Sequence, residues 1–327
     1  MRRLKTSIAM CTYNGACHLT EQLESIATQT QQPGELIICD DGSTDETVLQ
    51  IKKFSRKVSF PVRLYCNANK LGPAKNFEKA IGLCEGEIII LCDQDDVWQP
   101  EKVEKICRVL NSHPGACYAF SDAQIIGSQD RLSGQTLWEA VRFRSSRFVG
   151  TGQMEILLKG NVVTGAGLAF RSSFCETVLP IPSCWMHDYW IGLLGSAVSN
   201  GIAIPEKLYK YRRHEAQVCG WRKKSFFECF KISLVSDGED LRDKLCKFQE
   251  LIKRLQSPEI TKRPVPERID LLKQKELHLS HRAMVRSSNG IFRIRKVFTE
   301  ALRGRYSRFS SSCFNMVCSI ARDLTPV

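Results

Sequence analysis

Within its first 110 residues the chain repeats one pattern four times. A short apolar run closes on a knot of polar residues, and apolar positions at helical spacing follow. Ser7-Ile8-Ala9-Met10-Cys11 reads as a buried strand, after which Leu19, Leu23, Ile26 and Ala27 recur on one helical face. Leu36 to Cys39 predicts a second strand, and Asp45 to Phe54 a helix capped by Ser43 or Thr44. Val62 to Tyr65 predicts a third strand, with a helix from about Ala74 to Cys84. Glu87 to Cys92, the most apolar, predicts a fourth, and a helix over about Glu101 to Leu110 starts just after Pro100. Such alternation dictates right-handed βαβ units, hence an α/β fold with a mostly parallel sheet covered by helices on both faces. Ligands of such sheets bind beyond the carboxyl ends of the strands. Those ends carry Thr12-Tyr13-Asn14, Asp40-Asp41-Gly42-Ser43, Asn67 and Asp93-Gln94-Asp95-Asp96.

Charge divides the chain. The 327 residues carry a net charge of +12, but residues 1–217 hold 24 Lys+Arg against 23 Asp+Glu, and residues 218–327 hold 23 against 12. This predicts two domains, 1–217 and a basic, mainly helical 218–327. An apolar content of 43 % with 25 % charged residues excludes a disordered, collagenous or coiled-coil chain. The 15 cysteines are odd in number, form no CxxC and fit no zinc spacing. Cys39 and Cys92 end apolar runs, where a thiol acts as a small hydrophobe, so the expected compartment is the reducing cytoplasm. The basic start turns polar by Thr12, which predicts no signal peptide. The longest apolar stretch, Tyr189 to Pro205, is broken by glycines and polar residues and falls short of a spanning helix.

Asp93-Gln94-Asp95 follows an Ile/Leu run directly. In an extended segment, side chains two apart point the same way and lie about 6.6 Å apart. Two such carboxylates can share one hard cation, Mg²⁺ or Mn²⁺, or can form an acidic turn before the helix, with Asp96 as its cap. Asp40-Asp41-Gly42-Ser43-Thr44-Asp45 has a similar plain reading, an Asx turn leading into a helix N-terminus.

Taken together, the segments resemble family 2 of the inverting glycosyltransferases, which have the GT-A nucleotide-sugar fold. The resemblance is carried by Ser7 to Gly15, Glu21 to Ile26 with Gln29-Thr30, Asp40 to Asp45, Asn69 with Gly72 and Asn76, and Asp93 to Trp98. It continues through Thr164 to Arg171, His187-Asp188-Tyr189-Trp190 and Tyr211-Arg212-Arg213-His214, and covers about residues 5–220. The Asp-Gln-Asp-Asp-Val-Trp, His-Asp-Tyr-Trp and Tyr-Arg-x-His sub-patterns look most like bacterial rhamnosyltransferase-type members.

The resemblance implies transfer of a sugar from a dTDP- or UDP-linked donor to a saccharide acceptor hydroxyl, in surface polysaccharide assembly. It implies that Tyr13 and Asp41 line the base and ribose pocket, although Tyr13 would also serve as a core-edge aromatic. Thr12 and Asn14 would shape the turn, Gly72 would let backbone approach the nucleotide, and Lys75 and Asn76 would open a helix facing phosphate. Lys75 also fits a solvated surface position. Asp95 is expected at the metal directly, Asp93 through water or at the sugar, and His214 as a further metal ligand or a structural histidine. Arg212 is expected at the diphosphate, with Arg213 facing solvent. Asp188 is the expected general base, with a helix N-cap as its alternative.

From Lys224 onward helical spacing returns: Phe227, Phe230 and Leu234, then Leu241, Leu245, Phe248, Leu251, Ile252 and Leu255. Further helices are expected over Arg268 to Val285 and Phe292 to Leu302. Basic residues between Arg293 and Arg308 interleave with aromatic and aliphatic ones, a composition that favours an anionic membrane surface. The resemblance, to enzymes that commonly act on lipid-linked acceptors, implies such an acceptor and a setting at the inner face of the cytoplasmic membrane. Nucleic-acid binding is the less favoured alternative for this stretch, and an ordinary solvated face is the plain one. For the whole chain the rivals are a phosphotransferase using Asp93 as nucleophile and a non-catalytic sugar-nucleotide-binding protein.

Overall fold

A computed structural model describes residues 4–127, 131–213, 238–286, 290–310 and 313–324. The chain divides into two compact units, 1–150 with 162–220 and 151–161 with 221–327.

The first unit opens with β1 (Thr6–Thr12), α1 (Ala16–Ala27), β2 (Glu35–Asp40), α2 (Thr47–Ser55), β3 (Val62–Cys66), α3 (Pro73–Gly82), β4 (Ile88–Cys92), the short β5 (Val97–Trp98) and α4 (Lys102–Ser112). Then come β6 (Ala116–Ile126), β7 (Leu132–Thr136), α5 (Leu137–Ala140), α6 (Gly152–Leu157, in the second unit), β8 (Leu168–Arg171), α7 (Cys175–Val178), α8 (His187–Val198) and β9 (Asn200–Arg212). The strands form one sheet in the order β3-β2-β1-β4-β8-β6-β9-β5, with β7 beside β6. β1 is parallel to β2 and β4, and β2 to β3, as the alternation requires. The predicted apolar faces supply the core. Ile8, Met10, Ile38 and Ile90 of the strands are buried against Leu19, Leu23 and Ile26 of α1, Ile51 of α2 and Val103, Ile106 and Leu110 of α4. Each such side chain contributes roughly 1.5–3 kcal/mol of transfer free energy.

Register positions the site. Thr12 pairs with Asp40, Asp40 with Cys66, and Met10 with Cys92, so the polar knots after β1, β2, β3 and β4 line one edge of the sheet. β8 runs antiparallel to β4, with Ile90 opposite Ala169 and Ile88 opposite Arg171. That reversal carries the residues just before β8 to the same edge. Gly165–Gly167 form a 3-10 turn that leads directly into β8. The turn is packed too tightly for side chains: a Cβ on Gly165 would lie 2.7 Å from His187 Nε2, and one on Gly167 2.9 Å from the Ser121 carbonyl oxygen.

Two helix starts differ from expectation. α2 is not capped by Ser43 or Thr44. Its first turn follows Glu46, and Asp45 Oδ1 accepts from the Thr47 amide at 3.0 Å. Asp96 does not cap α4, which begins after Glu101; its Oδ1 instead accepts from the Arg212 amide at 3.0 Å.

The second unit contains α6 together with α9 (Gly238–Gln256), α10 (Pro266–Arg286), α11 (Gly290–Leu302), α12 (Arg305–Phe309) and α13 (Cys313–Leu324). Leu241, Phe248, Leu251, Ile252 and Leu255 are buried as their spacing predicts, while Phe227, Phe230 and Leu234 lie outside the described residues. Two buried polar networks tie the helices. Glu300 accepts from His278 Nδ1 at 3.1 Å, His281 Nδ1 at 2.7 Å and Arg305 Nη1 at 2.9 Å. Asp323 accepts from Arg282 Nε and the Tyr306 hydroxyl, each at 2.6 Å. No helix among the described residues is long and apolar enough to cross a membrane.

Candidate active site

The loop after β1 is built by its own polar residues. Thr12 Oγ1 donates to Asp40 Oδ2 at 2.7 Å, and Asn14, at φ 46°, accepts from the Thr44 amide at 2.8 Å while its own amide donates to Ser43 Oγ at 2.8 Å. Both residues thus shape the turn. Tyr13 stands at the rim, 41 % exposed, with Lys70 Nζ 3.6 Å from its ring centroid, so it is no core-edge residue.

Asp41 is buried, and its carboxylate organises the opposite loop. Oδ1 accepts from the Leu71 amide at 2.7 Å and Asn67 Nδ2 at 3.0 Å, and Oδ2 from the Gly72 amide at 2.9 Å. Gly72, at φ 79°, faces open space and turns the chain into α3, with Pro73 in the first turn. Asn76 faces inward rather than toward a phosphate. Its Nδ2 donates to the Cys39 carbonyl at 2.8 Å and its Oδ1 accepts from Asn67 at 2.8 Å. Lys75 pairs with Glu78 at 2.8 Å.

Asp93, Asp95 and Asp96 follow β4. Burial raises the Asp93 carboxyl to about 7, and the neighbouring charges of Asp95 and Asp188 add to the rise. Asp96 is likewise held well above the ordinary range, by burial first and then by Asp95 and Asp93. Its Oδ2 is without a hydrogen-bond partner among the described residues. Arg212 is not directed at a diphosphate. It is buried beneath the acidic turn, with Nη2 2.5 Å from Glu21 Oε2 and Nε 2.8 Å from the Asp95 carbonyl. Arg213 is half-buried rather than solvent-facing. His214 lies outside the described residues.

On the far side, Asp188 sits in the first turn of α8, whose N-cap is Met186, so Asp188 is not the cap. Its Oδ2 accepts from the Gly165 amide at 3.2 Å. His187 is buried and stacked on Phe77 at 3.9 Å between centroids, and burial lowers its pKa to about 3, so it is neutral. The structure therefore brings Asp93, Asp95 and Asp188 into electrostatic contact, with Tyr13 and Asp41 further along the same edge.

A family model for glycosyl transferase family 2 matches residues 7–179. The chain belongs to glycosyl transferase family 2. Its match to the first curated relatives, 28 % identical, covers 64 % of this chain and 58 % of theirs. It is 34 % identical over 114 residues, 34 % of this chain and 39 % of the other, to the dTDP-rhamnosyl transferase RfbG of Shigella flexneri. Its fold is similar to that of S. aureus TarS 1–349 in complex with UDP-GlcNAc, with a TM-score of 0.63 at 15 % identity over 98 % of this chain and 88 % of that one. It is also similar to the mannosyltransferase PcManGT of Pyrobaculum calidifontis in complex with GDP-Man and Mn²⁺, with a TM-score of 0.56 at 15 % identity, covering 99 % and 88 %. The first unit is thus a GT-A glycosyltransferase domain.

Three residues were missed by the sequence reading. Gln94 brackets Tyr13 with two hydrogen bonds, Glu21 anchors Arg212, and Lys102 is a buried lysine. Gln94 and Glu21 lie within motif segments already singled out, which was the available signal. Lys102 gave none, because a lysine at the start of a helix reads as surface.

Proposed function

We propose that the chain transfers a sugar from a nucleoside-diphosphate sugar to a saccharide hydroxyl with inversion, using Asp188 as the general base. The observation that carries this reading is that Asp188 is tied to the Gly165 amide, just before the strand that runs antiparallel beside β4, and acts electrostatically on Asp93 at the end of β4. A carboxylate on the acceptor side can take the hydroxyl proton as the oxygen attacks the anomeric carbon from behind, a role typically worth ~10²–10⁴-fold. Backbone amides hold both oxygens of this carboxylate, Gly165 on Oδ2 at 3.2 Å and Tyr189 on Oδ1 at 2.6 Å, which fixes the orientation of the base we assign.

The donor set at Asp93 and Asp95 fits a hard divalent cation, Mg²⁺ or Mn²⁺. Both offer carboxylate oxygens, and the accumulated negative charge that raises Asp93 would be relieved by a cation. Such an ion, when bound, offsets the charge that develops on the departing diphosphate. His214 is retained as a candidate further ligand. Tyr13 and Asp41, with the loops that Thr12, Asn14 and Gly72 shape, are assigned to the nucleoside, and Lys75 to the phosphate side. Arg212 and Asn76 are assigned to building this pocket from beneath.

The likeness to RfbG supports dTDP-rhamnose as donor, while TarS in complex with UDP-GlcNAc keeps UDP sugars as the second class. Surface polysaccharide assembly in the cytoplasm, at the inner membrane face, is the setting we assign, with residues 1–217 catalytic and 218–327 the membrane-facing appendage. Its support is α11, which exposes Ile291, Phe292, Ile294, Phe298 and Leu302 beside Arg295, Lys296 and Arg303. A phosphotransferase centred on Asp93 is not favoured by a family match to glycosyl transfer.

The test is nucleoside diphosphate release from dTDP-rhamnose, UDP-GlcNAc and other nucleotide sugars, with Mg²⁺ or Mn²⁺. Release with one donor that rises on adding a saccharide acceptor is expected. Phosphate-ester hydrolysis without a donor would replace this reading with phosphotransfer.

A further inference from the structure

Lys102, the first residue of α4, is fully buried. Its Nζ donates to the Ala166 carbonyl at 2.5 Å and lies 3.8 Å from the Trp98 ring centroid and 4.6 Å from that of Tyr209. The carboxylates of Asp96 and Asp93 face it electrostatically, and burial lowers its pKa to about 7. Burying an ammonium costs free energy that an apolar side chain of similar length would not. Nothing in the proposed chemistry uses this amine directly. Its donor contact survives in either protonation state, since both carry N–H groups.

The carbonyl it holds belongs to the Gly165–Gly167 turn. The preceding amide of that turn, Gly165 N–H, is bonded to Asp188 Oδ2 at 3.2 Å. Gly165 is pressed against His187 and Gly167 against the Ser121 carbonyl. The turn is therefore walled by packing on its two glycines, gripped at its centre by Lys102 and bonded at its start to Asp188.

We propose that Lys102 is a positioning residue for the acceptor half of the reaction, fixing the Gly165–Gly167 turn through the Ala166 carbonyl and, through that turn, the carboxylate of Asp188. The catalytic consequence rests on the reading of Asp188 as base; the positioning of the turn does not.

Lys102→Met keeps the length and removes the donor. Two measurements on the full chain test it. Amide hydrogen exchange read by mass spectrometry is expected to speed up at least tenfold in the peptide spanning residues 164–168, with α4 and β9 protected as in wild type. In turnover with dTDP-rhamnose or UDP-GlcNAc, whichever the wild type uses, the ratio of transfer to donor hydrolysis is expected to fall at least tenfold while donor affinity stays within twofold. Unchanged exchange at 164–168, or exchange raised equally throughout α4 and β9, overturns the positioning role. An unchanged transfer-to-hydrolysis ratio overturns its catalytic consequence. If wild-type protein uses no donor, the glycosyl-transfer reading fails, yet the exchange result still decides what Lys102 holds. Should Lys102→Met not fold, Lys102→Leu, which likewise has no donor and a smaller side chain, is read the same way. Faster exchange at 164–168 supports the role, and wild-type exchange overturns it.

Discussion

Gln94 grips the backbone of Tyr13 from both ends of its amide: Oε1 accepts from the Tyr13 N–H at 2.8 Å and Nε2 donates to the Tyr13 carbonyl at 3.1 Å. The acidic turn after β4 is thereby locked to the loop after β1, 81 residues away. One side of that clasp carries the proposed metal carboxylates and the other the proposed nucleoside-facing aromatic. Their spacing is set by the side chain between them.

Gln94→Ala breaks both bonds. At about 0.5–1.5 kcal/mol each, the two bonds together set an expected loss of donor affinity of roughly 5-fold, and at most about 150-fold, with kcat changed much less. Because the contact is exposed, the melting temperature should move little. Titrating the donor calorimetrically against wild type and variant separates the two effects; equal affinities would show that the clasp does not order the pocket.

Asp188→Asn keeps the shape and one of the two backbone contacts but removes the base. Transfer is expected to drop by ~10²–10⁴-fold, with donor binding nearly intact. Single-turnover transfer beside equilibrium donor binding gives the answer, and near-wild-type transfer would remove Asp188 from the reaction.

Chelation addresses the carboxylates after β4. Turnover is expected to vanish in excess chelator and to return on adding Mn²⁺ or Mg²⁺, whereas Asp95→Asn should not be restored at the same metal concentration. The readout is nucleoside diphosphate release against metal concentration. Full activity in chelator would reassign Asp93 and Asp95 to hydrogen bonding of the donor.

The second unit makes a prediction about acid. Hydrogen bonds from His278 and His281 and the charge of Arg305 hold the buried Glu300 carboxyl down to about 2, against the opposing effect of burial. A carboxyl whose folded pKa is depressed stabilises the fold above its unfolded value of about 4.3 and loses that contribution as pH falls toward the folded one. His278 acts in the same direction, since burial lowers its pKa and acid must charge it. Helical stability is therefore expected to fall from about pH 6 downward, with Glu300 accounting for on the order of 3 kcal/mol between pH 5 and 2. Urea titrations followed by far-UV circular dichroism should show this slope flattened below pH 5 in Glu300→Gln.

Local features were legible and non-local ones were not. The strands β1 to β4 and the helices between them were readable because burial periodicity is a property of neighbours in sequence. The edge where Thr12, Asp41 and Asp93 meet followed from the rule for parallel sheets. What could not be read was what each polar side chain would bond once the sheet closed. Arg212 carries a charge suited to a diphosphate, yet its partners, Glu21 and the Asp95 carbonyl, lie 191 and 117 residues away. Asn76 has a suitable position at the start of α3, but its amide satisfies the Cys39 carbonyl. Lys102 belongs with them, since only the antiparallel insertion of β8 puts Ala166 beside it. Between Arg293 and Arg308 composition shows only that basic residues interleave with aromatic and aliphatic ones. Folding divides the apolar residues of this region, burying Val297, Tyr306 and Phe309 and leaving Ile291, Phe292, Ile294, Phe298 and Leu302 exposed.

That division defines the membrane prediction. Ile291, Ile294, Phe298 and Leu302 fall at helical spacing on one side of α11, and Ile291 and Leu302 are 83 % and 87 % exposed. Arg295 adjoins this stripe, with Lys296 and Arg303 beyond it, an arrangement suited to the boundary between acyl chains and anionic headgroups. Each Lys or Arg near such a surface contributes about 1 kcal/mol, and each large apolar side chain that inserts adds roughly 1.5–3 kcal/mol. The full chain is expected to float with vesicles rich in phosphatidylglycerol and to stay behind with phosphatidylcholine, and 0.5 M salt should weaken the binding without abolishing it. Phe298→Glu combined with Leu302→Glu touches only exposed positions, so folding should be unaffected while flotation is lost. Wild-type chain that does not float, or a double variant that floats as well as wild type, would show that this face meets something other than lipid.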